Sequence, residues 1–236
     1  MKKIILFAFI AISLSTKAQT KAMTEDGKEV VLFDNKTWKF VNESDEKTLE
    51  TISTNEQLYE KNKEATFLVK SKKVEGGLFY DPRVWKIIKT DLNFPSIEHV
   101  FTNTVSPNVF AVFVSENAPV QTLKNLKDLV IAGVQKNSSY FRLKEAEYRT
   151  VNNIKVLHMK YSVNAKGIDF EYIGNFHLTG DGYCSITAYT FANKYQENTK
   201  VLENFVNGIT KVDKSQITEV VEVASPPPPM SSKKSK

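Results

Sequence analysis

Glu145, Lys160 and Glu171 are the residues whose types and spacing come nearest to a catalytic arrangement in this sequence. If the chain reverses at Asn152-Asn153, Glu145 falls opposite Lys160. Glu171 then falls on the far side of Lys160, about 9.5 Å from Glu145 at two strand spacings, which is the upper end of the range for an inverting glycosidase. A lysine between the two carboxylates would keep both ionised, whereas a general acid needs a raised pKa. We therefore expect a cross-strand ion ladder, and a hydrolase that uses Glu145 and Glu171 is the weakest of three functional alternatives.

The histidines and the single cysteine are not expected to form a metal or nucleophile site. His99, His158 and His177 lack the HxH and HExxH spacings of zinc sites. His158 and His177 share a predicted sheet face but lie roughly 13 Å apart along paired strands. Cys184 has no second cysteine to pair with, and its place on an apolar face favours a buried, unreactive thiol. Since a Gly-rich phosphate loop and a GxSxG elbow are also missing, we expect no metal, no cofactor and no enzymatic activity.

Three consecutive segments that alternate in polarity must carry these residues, namely 154–164, 168–179 and 183–191. The residues between them are Gly, Asn and Asp, which tolerate the positive φ of tight turns. The segments are therefore predicted to form an antiparallel β-meander. A preceding strand over 141–151 would make it four-stranded.

The predicted register gives this meander an aromatic face. If the turn is centred on Ala165-Lys166, Tyr161 pairs with Phe170, and Tyr172 and Tyr189 share their face. Such rings are suited to line a cavity for a small apolar ligand. Tyr161, Phe170, Tyr172 and Tyr189 are therefore the candidate ligand-binding residues.

Elements before and after the meander supply the rest of a sheet and its covers. The uncharged run 109–114 is typical of a strand buried on both faces. Thr122 is a suitable N-cap for a helix over 123–134, and a second helix over 195–209 carries an apolar stripe. The predicted fold class is α+β, with helices packed on an antiparallel sheet that ends in a three- to four-stranded meander.

Residues 1–18 are predicted to be a secretory signal peptide, with a basic start, a short apolar run and a small-x-small cleavage site. The apolar run is too short to cross a bilayer, so we expect a periplasmic or secreted protein without a transmembrane span. The formal charge is +5, but three lysines lie in the signal and three more, Lys233, Lys234 and Lys236, lie near the C-terminus. The nearly neutral remainder argues against a nucleic-acid partner. The three C-terminal lysines are expected to make at most a weak electrostatic contact with an anionic surface.

Changes in composition divide the rest of the chain into four predicted parts. Residues 19–41 form a β-hairpin module, 42–63 a polar linker, and 64–211 the main α+β domain. Residues 212–236 are predicted to be a disordered Pro- and Lys-rich tail that includes a short polyproline II segment.

The hairpin module carries Asp26-Gly27, Val30, Leu32, Thr37-Trp38 and Phe40 in an alternating pattern. In this it resembles a motif that follows the signal in many bacterial exported proteins of unknown function. The resemblance implies no activity. Trp38 and Phe40 are candidate partner-binding residues, and the alternative is that Trp38 packs within its own hairpin.

Several features of the main domain occur together in one known superfamily: the segment Tyr80-Asp81-Pro82-Arg83-Val84-Trp85, a helix with Leu126 and Leu129, the turn at 152–154 and the run 182–189. On these the chain resembles, over about residues 64–210, the PsbP-like and DcrB-like superfamily of extracytoplasmic accessory proteins, an α/β/α sandwich. The resemblance implies a non-enzymatic role in assembling or stabilising an envelope partner. We therefore expect a non-catalytic binding or assembly factor of the bacterial envelope, with a carrier of a small apolar ligand as the alternative.

Overall fold

The computed structural model describes residues 20–23, 29–32, 36, 38–40, 49–89 and 94–212. The predicted signal peptide and residues 213–236 of the predicted tail lie outside these residues, as do Asp26-Gly27 and Thr37 of the hairpin motif. Within the described ranges, no helix combines the length and the apolar character that a membrane span requires.

The described elements follow one another along the chain as strands with two helices among them. They are β1 (Thr20–Met23), β2 (Glu29–Leu32), β3 (Trp38–Phe40), β4 (Ser53–Tyr59), β5 (Phe67–Lys70), β6 (Gly76–Tyr80), β7 (Trp85–Ile88), β8 (Ile97–Asn103), β9 (Val109–Glu116), α1 (Leu123–Lys136), β10 (Tyr140–Val151), β11 (Ile154–Ala165), β12 (Ile168–Thr179), β13 (Gly182–Phe191), α2 (Tyr195–Val206) and β14 (Ile209–Lys211).

The main sheet has eight strands in the order β4-β10-β11-β12-β13-β9-β8-β7. Its neighbours are antiparallel except for β4 and β10, which run parallel. The strands β10 to β13 are consecutive antiparallel neighbours, so the predicted meander is confirmed. A smaller sheet has the order β14-β6-β5, and β1, β2 and β3 form a third sheet, in which β1 is a strand that the sequence did not predict.

The turn between β10 and β11 has the predicted position. Asn152 and Asn153 have φ angles of 47° and 64°, and the strands on either side pair Val151 with Ile154. Positive φ at both central positions is the pattern of the two-residue hairpin turn that matches the twist of its strands. Asparagine tolerates that conformation, which is why the sequence predicted this register correctly.

The turn between β11 and β12 lies one residue later than predicted. Its central residues are Lys166 and Gly167, both with positive φ, because this places the glycine in the left-handed region and leaves Ala165 extended. Tyr161 consequently pairs with Tyr172 and not with Phe170. The error amounts to two residues along β12, so every side chain keeps its predicted face.

Residues 53–59 correct the predicted polar linker, because they form β4 at one end of the described sheet. The side chain of Asn55 donates a hydrogen bond to Glu147 at 3.1 Å. The guanidinium of Arg149 lies over the ring of Tyr59 at 4.5 Å. Polar contacts with β10 hold this strand, so a search for hydrophobic periodicity could not find it.

The two helices cover opposite faces of the main sheet. Leu126 of α1 is fully buried in a cluster with Leu143 of β10. On the other face, Leu202 and Phe205 of α2 belong to a separate cluster, where Phe205 stacks on Trp85 with 3.7 Å between ring centroids. The expected sandwich of a sheet between helices is therefore confirmed.

The second helix is shorter than the predicted range of 195–209, since it ends at Val206. Gly208 follows, and a Cβ atom there would lie 2.1 Å from the carbonyl oxygen of Phe79. Its missing side chain lets the chain leave the helix and pair Ile209 with Leu78 of β6. The predicted apolar residue Ile209 is buried as expected, but in a strand.

Candidate functional site

Four aromatic rings stack across the middle of the main sheet. Tyr161, Tyr172, Tyr189 and Phe110 occupy directly opposed positions on β11, β12, β13 and β9. Successive ring centroids are 5.0, 5.0 and 5.7 Å apart, each pair in stacked geometry. Because the backbone ladder fixes their spacing, the rings form a preorganised row.

Phe170 and Phe191 form a second row, two residues further along β12 and β13. These two residues are directly opposed, and their rings stack at 5.3 Å. Phe170 also meets Tyr189 edge to face at 6.0 Å. We call the five half-buried side chains of the two rows the aromatic face, which consists of Phe110, Phe170, Tyr172, Tyr189 and Phe191.

The helix α1 covers only part of this side of the sheet. Tyr161 is 4% exposed and belongs to the cluster under α1. Phe170, Tyr172 and Tyr189 are half-buried, and Tyr172 packs against the edge of that cluster. The four residues predicted to bind a ligand therefore do share one face, but Tyr161 lies in the core, where a ligand on the surface does not reach it.

The tyrosines of the aromatic face remain protonated at neutral pH. Burial raises the pKa of Tyr172 to about 12, and neighbouring Tyr189 contributes to the shift. Burial also raises the pKa of Tyr189. Each ring thus combines an apolar surface with a neutral hydroxyl group, which can donate a hydrogen bond to a ligand.

Sequence reasoning did not bring Phe110 to this face. The strands β9 and β13 pair although they are far apart in the chain. Since no short turn connects them, no turn residues predict this pairing. No sequence signal indicates the position of Phe110 either, because the run 109–114 is apolar at every position. Only the structure shows that Phe110 and Val112 are less buried than Val109, Ala111 and Phe113.

A charged cluster lies on the opposite face of the sheet, beneath α2. Lys160 Nζ is 3.3 Å from Glu145 Oε2 and 3.0 Å from Glu203 Oε1. Arg149 pairs with Glu147 and, at 3.2 Å, with Glu203. Burial opposes ionisation of Glu203, but the neighbouring charges of Lys160 and Arg149 outweigh it and lower its pKa. The pKa of Glu147 is lowered as well, so Glu147 and Glu203 are held ionised, which is unsuitable for a general acid.

The predicted ion ladder is wrong in its third member. Glu145 pairs directly with Lys160, as predicted. Glu171, however, lies opposite Ser162 because of the two-residue shift between β11 and β12. It accepts a hydrogen bond from Ser162 at 3.0 Å and pairs with Lys144 at 2.7 Å, while Glu203 of α2 takes the predicted place beside Lys160.

His158 is fully buried next to this cluster. Its Nδ1 atom is 2.7 Å from Oδ1 of Asn175, whose amide nitrogen donates to Val206 and Asn207. The oxygen of Asn175 is thus the acceptor, so Nδ1 of His158 carries the hydrogen and Nε2 carries a lone pair. Burial, with Arg149 nearby, lowers the pKa of His158 to about 4, so the ring is neutral at pH 7.

Cys184 is buried against the backbone of β6. A Cβ atom on Gly76 would lie 2.4 Å from its sulfur, and burial raises the pKa of the thiol to about 12. The prediction of an unreactive core thiol is confirmed. No group of three metal-ligating side chains occurs in the part of the chain that the structure describes.

A pocket of about 270 Å³ lies elsewhere, between the loop from β8 to β9 and the start of α2. Its lining residues are Val105, Ser106, Pro107, Asn108, Glu197 and Asn198. They include no residue of the aromatic face. The half-buried rings of the aromatic face do not line this cavity.

The predicted partner-binding residues of the hairpin module are Trp38 and Phe40. Trp38 lies on β3 opposite Leu32 of β2, and it is 53% exposed. The Phe40 side chain lies outside the description, although its backbone pairs with Val30.

Comparison with known proteins finds likeness at the level of structure. No family model matches the sequence, and no curated protein matches it. Cyanobacterial PsbP from Synechocystis is 12% identical, with a TM-score of 0.49 over 64% of this chain and 94% of that chain. LpqN of Mycobacterium tuberculosis, described as involved in cell envelope biogenesis, is 12% identical, with a TM-score of 0.43 over 62% of this chain and 90% of that chain.

A protein of unknown function from Pseudomonas aeruginosa, described as a putative regulator, is 11% identical. Its TM-score is 0.38, over 58% of this chain and 90% of that chain. No family assignment follows from these likenesses.

Proposed function

We propose that this protein is an exported, non-catalytic binding or assembly factor of the bacterial envelope, and that it engages its partner through the aromatic face. The observation that carries the proposal is the stacked series Tyr172, Tyr189 and Phe110, whose side chains are only half-buried. A contiguous apolar surface of this kind on a folded domain is typical of an interaction site.

The rigidity of the rings supports a binding role. Phe170 and Phe191 are held by stacking on each other, and Tyr172 stacks on the buried ring of Tyr161. Side chains that are already ordered lose little conformational entropy when a partner binds. Aromatic residues in such positions dominate the binding energy of many interfaces.

The charged cluster supports a structural role for the residues that resemble catalytic groups. Lys160 and Arg149 neutralise the carboxylates of Glu145, Glu147 and Glu203. The cluster ties β10 and β11 to α2, and each of its charges already has a partner of opposite sign.

Photo-crosslinking in the native envelope tests the proposal. A benzophenone amino acid replaces Phe170 in one variant and Phe67 in a matched control, since Phe67 is 53% exposed on β5, away from the aromatic face. We expect a specific adduct from position 170 that is missing from position 67. The captured protein, once purified, should bind the native chain and lose binding to Tyr189→Ser. Equal adducts from both positions, or unchanged binding to the Tyr189→Ser variant, would overturn the proposal.

A further inference from the structure

We infer that the aromatic face binds polyproline II segments, and that the chain's own segment Pro226–Pro229 is an occupant of it. The inference rests on the proposed binding role of the aromatic face and adds the chemical class of what binds there. Four consecutive prolines occur in this sequence, followed by Met230. Proline-rich segments are recognised by surfaces lined with aromatic rings.

The spacing of the rings matches the repeat of a polyproline II helix. Such a helix has three residues per turn and a rise of 3.1 Å, so residues on the same side are about 9.3 Å apart. Tyr172 and Phe110 lie on strands separated by β13, at two strand spacings or about 9.5 Å. A segment that crosses the strands would therefore place two same-side prolines over these two rings.

The second row of rings borders such a segment. Phe170 and Phe191 lie two residues along their strands from Tyr172 and Tyr189, a separation of about 7 Å. A segment lying over the first row would thus contact the edges of the second row along its length. This arrangement gives contacts on two sides of the proline rings.

The hydroxyl groups of Tyr172 and Tyr189 can donate hydrogen bonds to the backbone carbonyl groups of the segment. A polyproline II helix has no internal hydrogen bonds, and proline has no N–H group, so its carbonyl groups need external donors. Tyr172 and Tyr189 are neutral donors at pH 7, as tyrosines ordinarily are, and burial raises the pKa of both further. The aromatic face therefore offers apolar contact and hydrogen-bond donors in one row.

The segment can reach the face. The described chain ends at Val212, whose N–H group bonds to Glu75 next to β6. Residues 213–225 separate it from Pro226, and this stretch can span up to about 45 Å. The strands β6 and β14 pack on the face that α2 covers, so the linker must pass around the sheet to the aromatic face. The ten residues of β13 extend about 33 Å, which leaves about 12 Å of an extended linker for that passage.

Attachment to the same chain compensates for weak intrinsic affinity. A short flexible linker gives a tethered segment an effective concentration in the millimolar range. A segment with a Kd of about 1 mM would then occupy the face about half of the time. An external partner must displace it, so the segment would also set the threshold for partner binding.

Paramagnetic relaxation measured by NMR on the full chain tests the inference. A nitroxide is attached to Ser231→Cys, and Cys184 does not compete for the label because it is buried with a pKa raised to about 12. We expect the amide signals of Phe170 and Tyr189 to be strongly broadened by the nitroxide, while Leu202 on the opposite face keeps most of its signal. Equal losses at all three positions, or none, would overturn the inference.

Two variants test the proline segment and the aromatic face independently. Replacing Pro226–Pro229 by serines should restore the Phe170 and Tyr189 signals. The Tyr189→Ser variant should restore the Phe170 signal, whereas the control Phe67→Ser should leave the losses unchanged. The proline variant leaves the folded domain intact, so the test stands even if Tyr189→Ser does not fold. Losses that survive the serine replacement would contradict the inference.

A mixture of isotope-labelled chain and spin-labelled, isotope-free chain identifies the source of the segment. Losses in that mixture as large as in the single chain would assign the occupant to a second copy, against the inference. Crosslinking from position 170 without any effect of the spin label would overturn this inference alone and leave the proposed function standing.

Discussion

The Nε2 atom of His158 lies 3.8 Å from Oε1 of Glu203 and has no hydrogen-bond partner in the described residues. Both atoms are hydrogen-bond acceptors when the ring is neutral. Protonation of the ring would create an ion pair, yet burial and Arg149 oppose it and lower the pKa of His158 to about 4. This relationship makes stability sensitive to acid.

We expect His158 to make the protein less stable between pH 6.5 and pH 4. An unfolded histidine binds its proton near pH 6.5, so acid protonates the unfolded state first and favours it. The contribution of the neutral ring is complete above pH 6.5 and is lost progressively down to about pH 4, amounting to at most about 3 kcal/mol. Urea unfolding at pH 7 and pH 5 should show a smaller loss for His158→Gln than for the native chain. Equal losses would contradict the assignment.

Replacing Lys160 should destabilise the fold more than replacing an exposed lysine. In Lys160→Met, Glu145 and Glu203 lose their shared partner while partly buried, and we expect a loss of about 1–2 kcal/mol, reduced from the fully buried case by solvent screening. The control is Lys194→Met, which removes the exposed pair with Glu197 and should change stability by less than about 0.5 kcal/mol. Urea denaturation measures both. Equal effects would show that the cluster adds nothing beyond a surface pair.

Two glycine substitutions should act in opposite directions. Gly208→Ala would put a Cβ atom 2.1 Å from the backbone oxygen of Phe79, so the chain must shift, and we expect a loss of about 1–3 kcal/mol. Gly133→Ala meets nothing within 4 Å in the last turn of α1 and should stabilise by at most about 0.5–1 kcal/mol. Thermal unfolding of the two variants distinguishes them. A neutral Gly208→Ala would mean that β14 does not approach Phe79 so closely.

The thiol of Cys184 should react only when the chain opens. It is buried, and its pKa is raised to about 12, so an alkylating reagent should modify native protein far more slowly than protein in urea. The rate should rise in parallel with the population of the opened state when a destabilising substitution such as Phe205→Ala is introduced. Fast modification of the native chain would place Cys184 at the surface.

The sequence predicted those parts of the fold that local chemistry determines. Asn152 and Asn153 can both adopt positive φ, and that alone fixes the register of β10 against β11. At the next turn the prediction centred on Ala165-Lys166 was wrong, because the structure centres the turn on Lys166-Gly167. Glycine at the second central position favours the observed turn. Because the register error was two residues, each side chain stayed on its predicted face of the sheet. The aromatic residues were therefore grouped correctly, although their cross-strand partners were wrong.

The remaining errors concern contacts between segments that are distant in the chain. Phe110 joins the aromatic face through the pairing of β9 with β13, and Glu203 joins Lys160 from a helix. Neither contact leaves a periodic or turn signal in the sequence. β4 was missed for a related reason, since polar contacts with β10 hold it in place.

The polar character of β4 also has a consequence for how the protein behaves in a crowded compartment. The edge strand of an open sheet has unpaired backbone N–H and C=O groups, to which a strand of another molecule can bind. Such pairing can lead to aggregation. The strand β4, at one end of the described sheet, carries the exposed residues Glu56 and Gln57, and Leu58 is its sole aliphatic residue. A second molecule that added a strand beside β4 would have to desolvate these polar side chains. We therefore expect β4 to oppose edge-to-edge association of the main sheet.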